Sequence, residues 1–187
     1  MKVSALDEMY ASVNKDADRI YVVPLIRFNH KKTDYLYLLY RDILTSGSYD
    51  IESISVFNHF RLVTGIMKHR NTILHYHWLE FQDFKSILGM PWKMMCIYLF
   101  HKLGGNIVWT LHNEFPHDQK YSALHSYLHS KMARWASALH VHCATAADIM
   151  SERLHVSKEK FHLIPHPDFP AASIEKQEAI RNLNQHY

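Results

Sequence analysis

Short β-branched apolar runs alternate with amphipathic stretches along this chain, and that alternation leaves few folds open. Residues 20–26 (IYVVPLI) are apolar without a polar/apolar rhythm, the pattern of a strand buried on both faces. Residues 33–44 follow with Tyr35, Leu36, Leu38, Leu39, Ile43 and Leu44 at helical spacing, Thr33 or Asp34 as N-cap and Gly47 as the stop. The pattern then repeats. Strands are predicted at 51–56, 72–76, 107–111, 138–143 and 161–164, and helices at 59–68, 83–103, 119–137 and 146–154. Gly89-Met90-Pro91 predicts a break inside the 83–103 helix, and Gly104-Gly105 ends it. The expectation is an α/β fold: Rossmann-like and doubly wound, a mainly parallel sheet with helices on both faces. The 187 residues suffice for one domain, placed at 1–170. The polar stretch 171–187 reads as a linker or helix.

A formal net charge of +3 is too small to argue for a nucleic-acid partner. The first nineteen residues carry charges throughout and no apolar core, so no signal peptide is expected. The longest apolar run, 94–100, is far short of the ~20 residues a spanning helix needs. The expectation is a cytoplasmic protein. Cys96 and Cys143 are the only cysteines and read as two buried thiols rather than a disulfide framework.

In open α/β sheets ligands bind beyond the carboxyl ends of the strands. Two predicted strands end there in histidines. The stretch ILHYHW brings His75, His77 and Trp78, and IVWTLHNEFPH brings His112, Asn113, Glu114 and His117. A third, LIPHPDF, brings His166. His75 and His77 flank Tyr76 and so share a strand face. Rings, amides and carboxylates at one sheet edge suit sugar hydroxyls, which need directional donors and acceptors. Trp78 offers an apolar face to a pyranose ring. The plain alternatives are a core histidine for His112, ordinary packing for Trp78 and a turn at His166. His75, His77, His112 and His117 with Glu80 and Glu114 are also metal-ligand types, but no HExxH or Cys-rich spacing supports them and no metal is expected. His125 and His129, one helical turn apart, read as an exposed pair. No glycine follows the first strand in RFNHKKTDY and there is no P-loop, so a nucleotide is not expected at that strand. The stretch MPWKMMCIYLFHK (90–102) has the composition of an interfacial membrane helix; the plain reading is a crossover helix packing on the sheet, and both hold if one face packs and the other touches anionic lipid head groups.

With HYHW after the third strand, GGNIVWTLHNEFPH across the fourth and FHLIPHPDF at the sixth, the chain resembles the N-terminal half of a GT-B glycosyltransferase. The nearest likeness is the family-4-like group that builds bacterial polysaccharides and glycolipids. The likeness spans residues 20–169 and rests on three motifs in order. It implies one Rossmann-like, acceptor-binding half of a two-domain enzyme, with residues 171–187 leading to a donor-binding half. It implies sugar transfer from a nucleotide sugar to a glycan or lipid-linked acceptor, with retention and without a required metal. His112 then lies near the reacting sugar, Glu114 or His117 orients the acceptor or takes its proton, and His75, His77, Trp78, Asn113 and His166 line the substrate site. The chain departs from the family in its glycine-free first loop and in Pro167, where glycine is common after the histidine. Two other readings stand beside it: a non-catalytic acceptor-binding or membrane-docking subunit of a two-chain enzyme, and a histidine-based metallohydrolase.

Overall fold

The computed structural model describes residues 4–31, 34–79, 84–112 and 121–169. Six strands, β1 (Arg19–Val23), β2 (Asp50–Ser53), β3 (Thr72–Tyr76), β4 (Asn106–Thr110), β5 (Ala138–Val141) and β6 (Phe161–Leu163), form one sheet. Every pairing is parallel and the order is β2-β1-β3-β4-β5-β6. The helices are α1 (Ala5–Val13), α2 (Tyr35–Ser46), α3 (Phe60–Lys68), α4 (Phe84–Lys102), α5 (Ser122–Trp135) and α6 (Ala144–Leu154). This is the Rossmann-like, doubly wound arrangement the alternation predicts. Among the described residues no helix is long and apolar enough to cross a membrane.

Successive side chains on a strand face opposite ways, and the two faces have separate cores. Ile20, Val22, Ile73, Val108 and Ala138 point to the face covered by α1 and α2. Tyr21, Val23, Leu74, Tyr76, Ile107, Trp109 and Leu139 point to the face covered by α3 to α6. Each fully buried Ile or Leu contributes roughly 1.5–3 kcal/mol. Among the described residues, two helices thus cover one face and four the other.

Several boundaries differ from the sequence expectation for local reasons. The first strand stops at Val23, because Pro24 has no N–H for the ladder. The second strand is an edge, half-exposed, and ends at Ser53. The fourth helix runs unbroken through the exposed Pro91, because Met90, Met94 and Ile97 on its inner side pack on the sheet and tolerate one missing backbone bond. The first helix was not expected. It is opened by a capping box in which Ser4 Oγ accepts from Asp7 N at 3.1 Å and the Asp7 carboxylate accepts from Ser4 N at 3.0 Å. Gly47 closes α2 in the left-handed region, at φ +67°.

Gly105 lies where a Cβ would fall 2.2 Å from the Phe100 ring, which is fully buried. Gly105→Ala is therefore expected to destabilise the fold by about 1–3 kcal/mol through overpacking. Urea unfolding checks this, and an unchanged midpoint would contradict it.

Candidate functional site

Three neighbouring strands each carry two polar side chains at i and i+2 on the α1/α2 face. His75 and His77 come from the end of β3, Thr110 and His112 from β4, and His140 and His142 from β5. Tyr76 lies opposite Trp109 and Thr110 opposite His140, so His77, Thr110 and His140 fall in one row. Two tyrosines of the covering helices reach down onto them: Tyr10 of α1 and Tyr40 of α2, both fully buried.

The result is a continuous buried chain of hydrogen bonds. His140 Nε2 lies 3.1 Å from the Ile164 carbonyl oxygen and His140 Nδ1 lies 2.9 Å from Thr110 Oγ1. Thr110 Oγ1 is 2.7 Å from His75 Nε2. His75 Nδ1 meets both the Tyr40 hydroxyl at 2.5 Å and the Tyr10 hydroxyl at 2.6 Å. The Tyr40 hydroxyl also meets His77 Nε2 at 3.0 Å, and His77 Nδ1 lies 3.2 Å from His112 Nε2. On the far side His142 Nδ1 reaches the same Ile164 oxygen at 3.0 Å, and its Nε2 meets the Tyr35 hydroxyl at 3.0 Å.

The proton positions follow from one end. A carbonyl only accepts, so His140 must carry its proton on Nε2. Its Nδ1 is then bare and accepts from the Thr110 hydroxyl. Thr110 in turn accepts from His75 Nε2–H, which leaves one bare nitrogen, His75 Nδ1, facing two tyrosine hydroxyls. Either Tyr40 donates to it, or Tyr10 does and frees Tyr40 to donate to His77 Nε2. The first arrangement makes His77 and His112 both Nε2–H. The second makes both Nδ1–H. The tautomer of His112 is thus tied to two tyrosines it does not touch.

This chain requires neutral rings. Burial holds His75 and His77 well below the ordinary histidine value and pushes His140 and His112 to about 3, with neighbouring histidines adding to the effect. Burial also lowers His142. The same desolvation raises the Tyr10, Tyr35 and Tyr40 hydroxyls well above their usual range, so they stay protonated as donors.

Around the upper end of the chain, Tyr35 packs against five rings: His77, Trp78, His112, His142 and His166. Trp78 stacks on His112 with centroids 4.2 Å apart and planes 8° from parallel. Trp78 has φ +46°, a conformation that bulky residues rarely hold. The stacked pair stands between two hollows. One is a cleft of about 750 Å³ at the carboxyl ends of β1 and β3, where the chain order reverses, lined by Arg27, Phe28, Asp34, Tyr35, Val56 and Trp78 among others. The other, about 210 Å³, lies between His112 and the start of α6 at Cys143 and Thr145.

The sequence-predicted residues are distributed unevenly. His77, Trp78, His112 and His166 come together around Tyr35. His75 is fully buried and both its ring nitrogens are engaged within the chain, so it supports the site from beneath. Asn113, Glu114 and His117, like Glu80, lie outside the described residues. The pair His125 and His129 is buried, not exposed: α5 turns that face inward, where His129 Nε2 donates to the Leu79 carbonyl at 3.1 Å and the ring meets Trp109. Of the two thiols only Cys96 is buried; Cys143 is exposed, because it precedes the first turn of α6 at the sheet's edge. Among the described residues no three His, Cys, Asp or Glu side chains are grouped to hold a metal. Sequence reasoning missed Tyr10, Tyr35, Tyr40, Thr110, His140 and His142. A signal existed: HVH at 140–142 repeats the spacing of HYH at 75–77. No protein-family model matches this chain, and no curated protein matches its sequence.

Histidines whose folded pKa is depressed stabilise the fold above the unfolded value of ~6.5 and lose that contribution as pH falls toward the folded value. His75, His77 and His140 each cost about 1.4 kcal/mol per pH unit below ~6.5, or about 4 kcal/mol per unit together, against a typical total of 5–15 kcal/mol. The melting temperature is expected to be nearly flat from pH 8 to 7 and to fall steeply below 6.5. A flat profile down to pH 4.5 would contradict neutral burial.

Proposed function

We propose that this domain is the acceptor-side half of a GT-B glycosyltransferase, moving a sugar from a nucleotide-sugar donor to a hydroxyl of a glycan or lipid-linked acceptor. The observation that carries this reading is the His112–Trp78 stack at the carboxyl edge of the sheet, between a large cleft and a smaller hollow. It supplies what sugar recognition needs: directional hydrogen-bonding groups beside flat apolar faces. The family likeness of the motifs points the same way, and with it the expectation of a donor-binding half beyond residue 171, a cytoplasmic setting and a retaining reaction.

The roles of this chain's own residues follow from their protonation. His112, with its pKa pushed to about 3, is uncharged at neutral pH. It is a poor proton acceptor and supplies no positive charge. Its part is to orient a sugar hydroxyl through a neutral ring nitrogen, held in place by His77 and by Trp78. Trp78 and Tyr35 present ring faces to the bound glycan. Arg27, which lines the cleft, is a cation available to an acidic group on the acceptor. Proton removal from the acceptor falls to Glu114 or His117, which must come within hydrogen-bond reach of that hydroxyl.

The test is sugar transfer by the protein that carries this domain, using a panel of nucleotide sugars and membrane-lipid or glycan acceptors. His112→Ala is expected to lower kcat by about 10²-fold, the usual cost of one well-placed polar group at the reacting centre. Activity within a few-fold of the parent would contradict the role given to His112.

A further inference from the structure

The outer face of α3 and α4 is apolar where solvent should favour polar side chains. On α4 the buried residues Met90, Met94, Ile97 and Phe100 pack on the sheet. The opposite side shows Leu88, Trp92, Met95, Tyr98, Leu99 and Leu103, with Leu88 66% and Trp92 47% exposed. A helix that is apolar all round belongs inside a protein or against lipid, and among the described residues this one has only one side covered. Phe60 of α3 stacks on Trp92, and Met67 extends the surface along α3. Phe57, 86% exposed, sits in the loop just before α3. Contiguous exposure of this kind marks an interaction site.

The charges identify what covers it. The segments 60–68 and 84–102 carry Arg61, Lys68, Lys85, Lys93 and Lys102 and not one Asp or Glu. Arg61 is paired with Glu52 of β2, and Lys102 lies over the Tyr98 ring at 5.5 Å. A second copy of this face would bring cations against cations, and the carboxylate beside them, Glu52, is already engaged by Arg19 and Arg61, which disfavours self-association. An anionic bilayer satisfies both features. Lipid takes up Phe, Trp, Leu and Met side chains, and its phosphates attract the lysines.

We propose that the α3/α4 face is a peripheral membrane-docking surface that seats the domain on an anionic bilayer. The surface adjoins the site. Ser55 and Val56, which immediately precede Phe57, line the large cleft. Docking therefore sets the mouth of that cleft at the lipid surface. If the glycosyltransferase reading holds, its acceptor is an amphiphile drawn from that bilayer; the docking itself does not depend on that reading.

The test is co-sedimentation of the chain with vesicles of phosphatidylcholine alone or with phosphatidylglycerol at equal parts, at low salt and without any sugar donor. The expected result is binding to the anionic vesicles only. Each surface cation is worth about fivefold in affinity, so Lys68→Glu with Lys102→Glu is expected to weaken binding at least ~25-fold. Phe57→Ser with Leu88→Ser, both at exposed positions, is expected to abolish it while the circular dichroism spectrum stays unchanged. No sedimentation with anionic vesicles, or equal binding to both vesicle types that survives both double variants, would overturn the proposal. So would a dimer in sedimentation velocity that the Phe57→Ser/Leu88→Ser variant dissolves. Because no donor sugar is present, failure here is distinct from failure of the transfer assay.

Discussion

The carbonyl oxygen of Ile164 accepts from two histidines, His140 Nε2–H at 3.1 Å and His142 Nδ1–H at 3.0 Å. A carbonyl oxygen has two lone pairs and no proton to give, so this contact fixes the direction of the bonds behind it as far as His75 and Tyr35. Through His140 it orients Thr110 and then His75. Through His142 it orients Tyr35, whose ring is the centre of the aromatic cluster. Ile164 is itself held in register, its N–H donating to the Val141 carbonyl at 3.0 Å. The site thus depends on β6, the edge strand, pairing correctly with β5.

The polar chain sits on the side of the sheet with two helices rather than four. Over β4 and β5 the α1/α2 face carries Thr110, His140 and His142 where the other face carries Trp109, Leu139 and Val141. Buried polar groups without partners are costly, whereas a fully bonded network rigidifies its surroundings. Here each ring nitrogen of the buried chain has a partner, and the tyrosines that supply some of them come from α1 and α2, the helices described on that side. The same helices therefore close the core and set the protonation of the site. Trp78, strained at φ +46°, is held by its stack on His112 and its edge contact with Tyr35.

The fold was legible in the sequence because a parallel sheet writes itself as apolar runs between amphipathic stretches. Residues 72–76 were placed without error, since all five are buried and Asn71 and His77 bound them. The 20–26 run was overextended because hydrophobicity does not register that Pro24 lacks a donor. Helix α1 was overlooked because its charges masked Leu6, Met9 and Tyr10 at helical spacing. For the site, the sequence exposed residues that follow one another, HYHW and LHNEFPH, and hid those that meet through register. Thr110 and His140 are thirty positions apart and adjacent only because β4 pairs with β5. Tyr10 and Tyr40 are ordinary core aromatics until the fold sets them on one histidine. His125 and His129 were misjudged for the complementary reason: helical spacing shows that two rings share a side, not which side faces inward.

This chain of histidines is neutral, and its tautomers are ordered from the Ile164 carbonyl outward. Nitrogen-15 NMR of the histidine rings tests it directly, since protonated and bare ring nitrogens differ widely in shift. At neutral pH His75 and His140 are predicted to be Nε2–H, and His77 and His112 to share one tautomer. Removing the competing hydroxyl with Tyr10→Phe should leave Tyr40 as the sole donor to His75 and drive both His77 and His112 to Nε2–H. A cationic ring at His75 or His140, or opposite tautomers at His77 and His112 in that variant, would contradict the account.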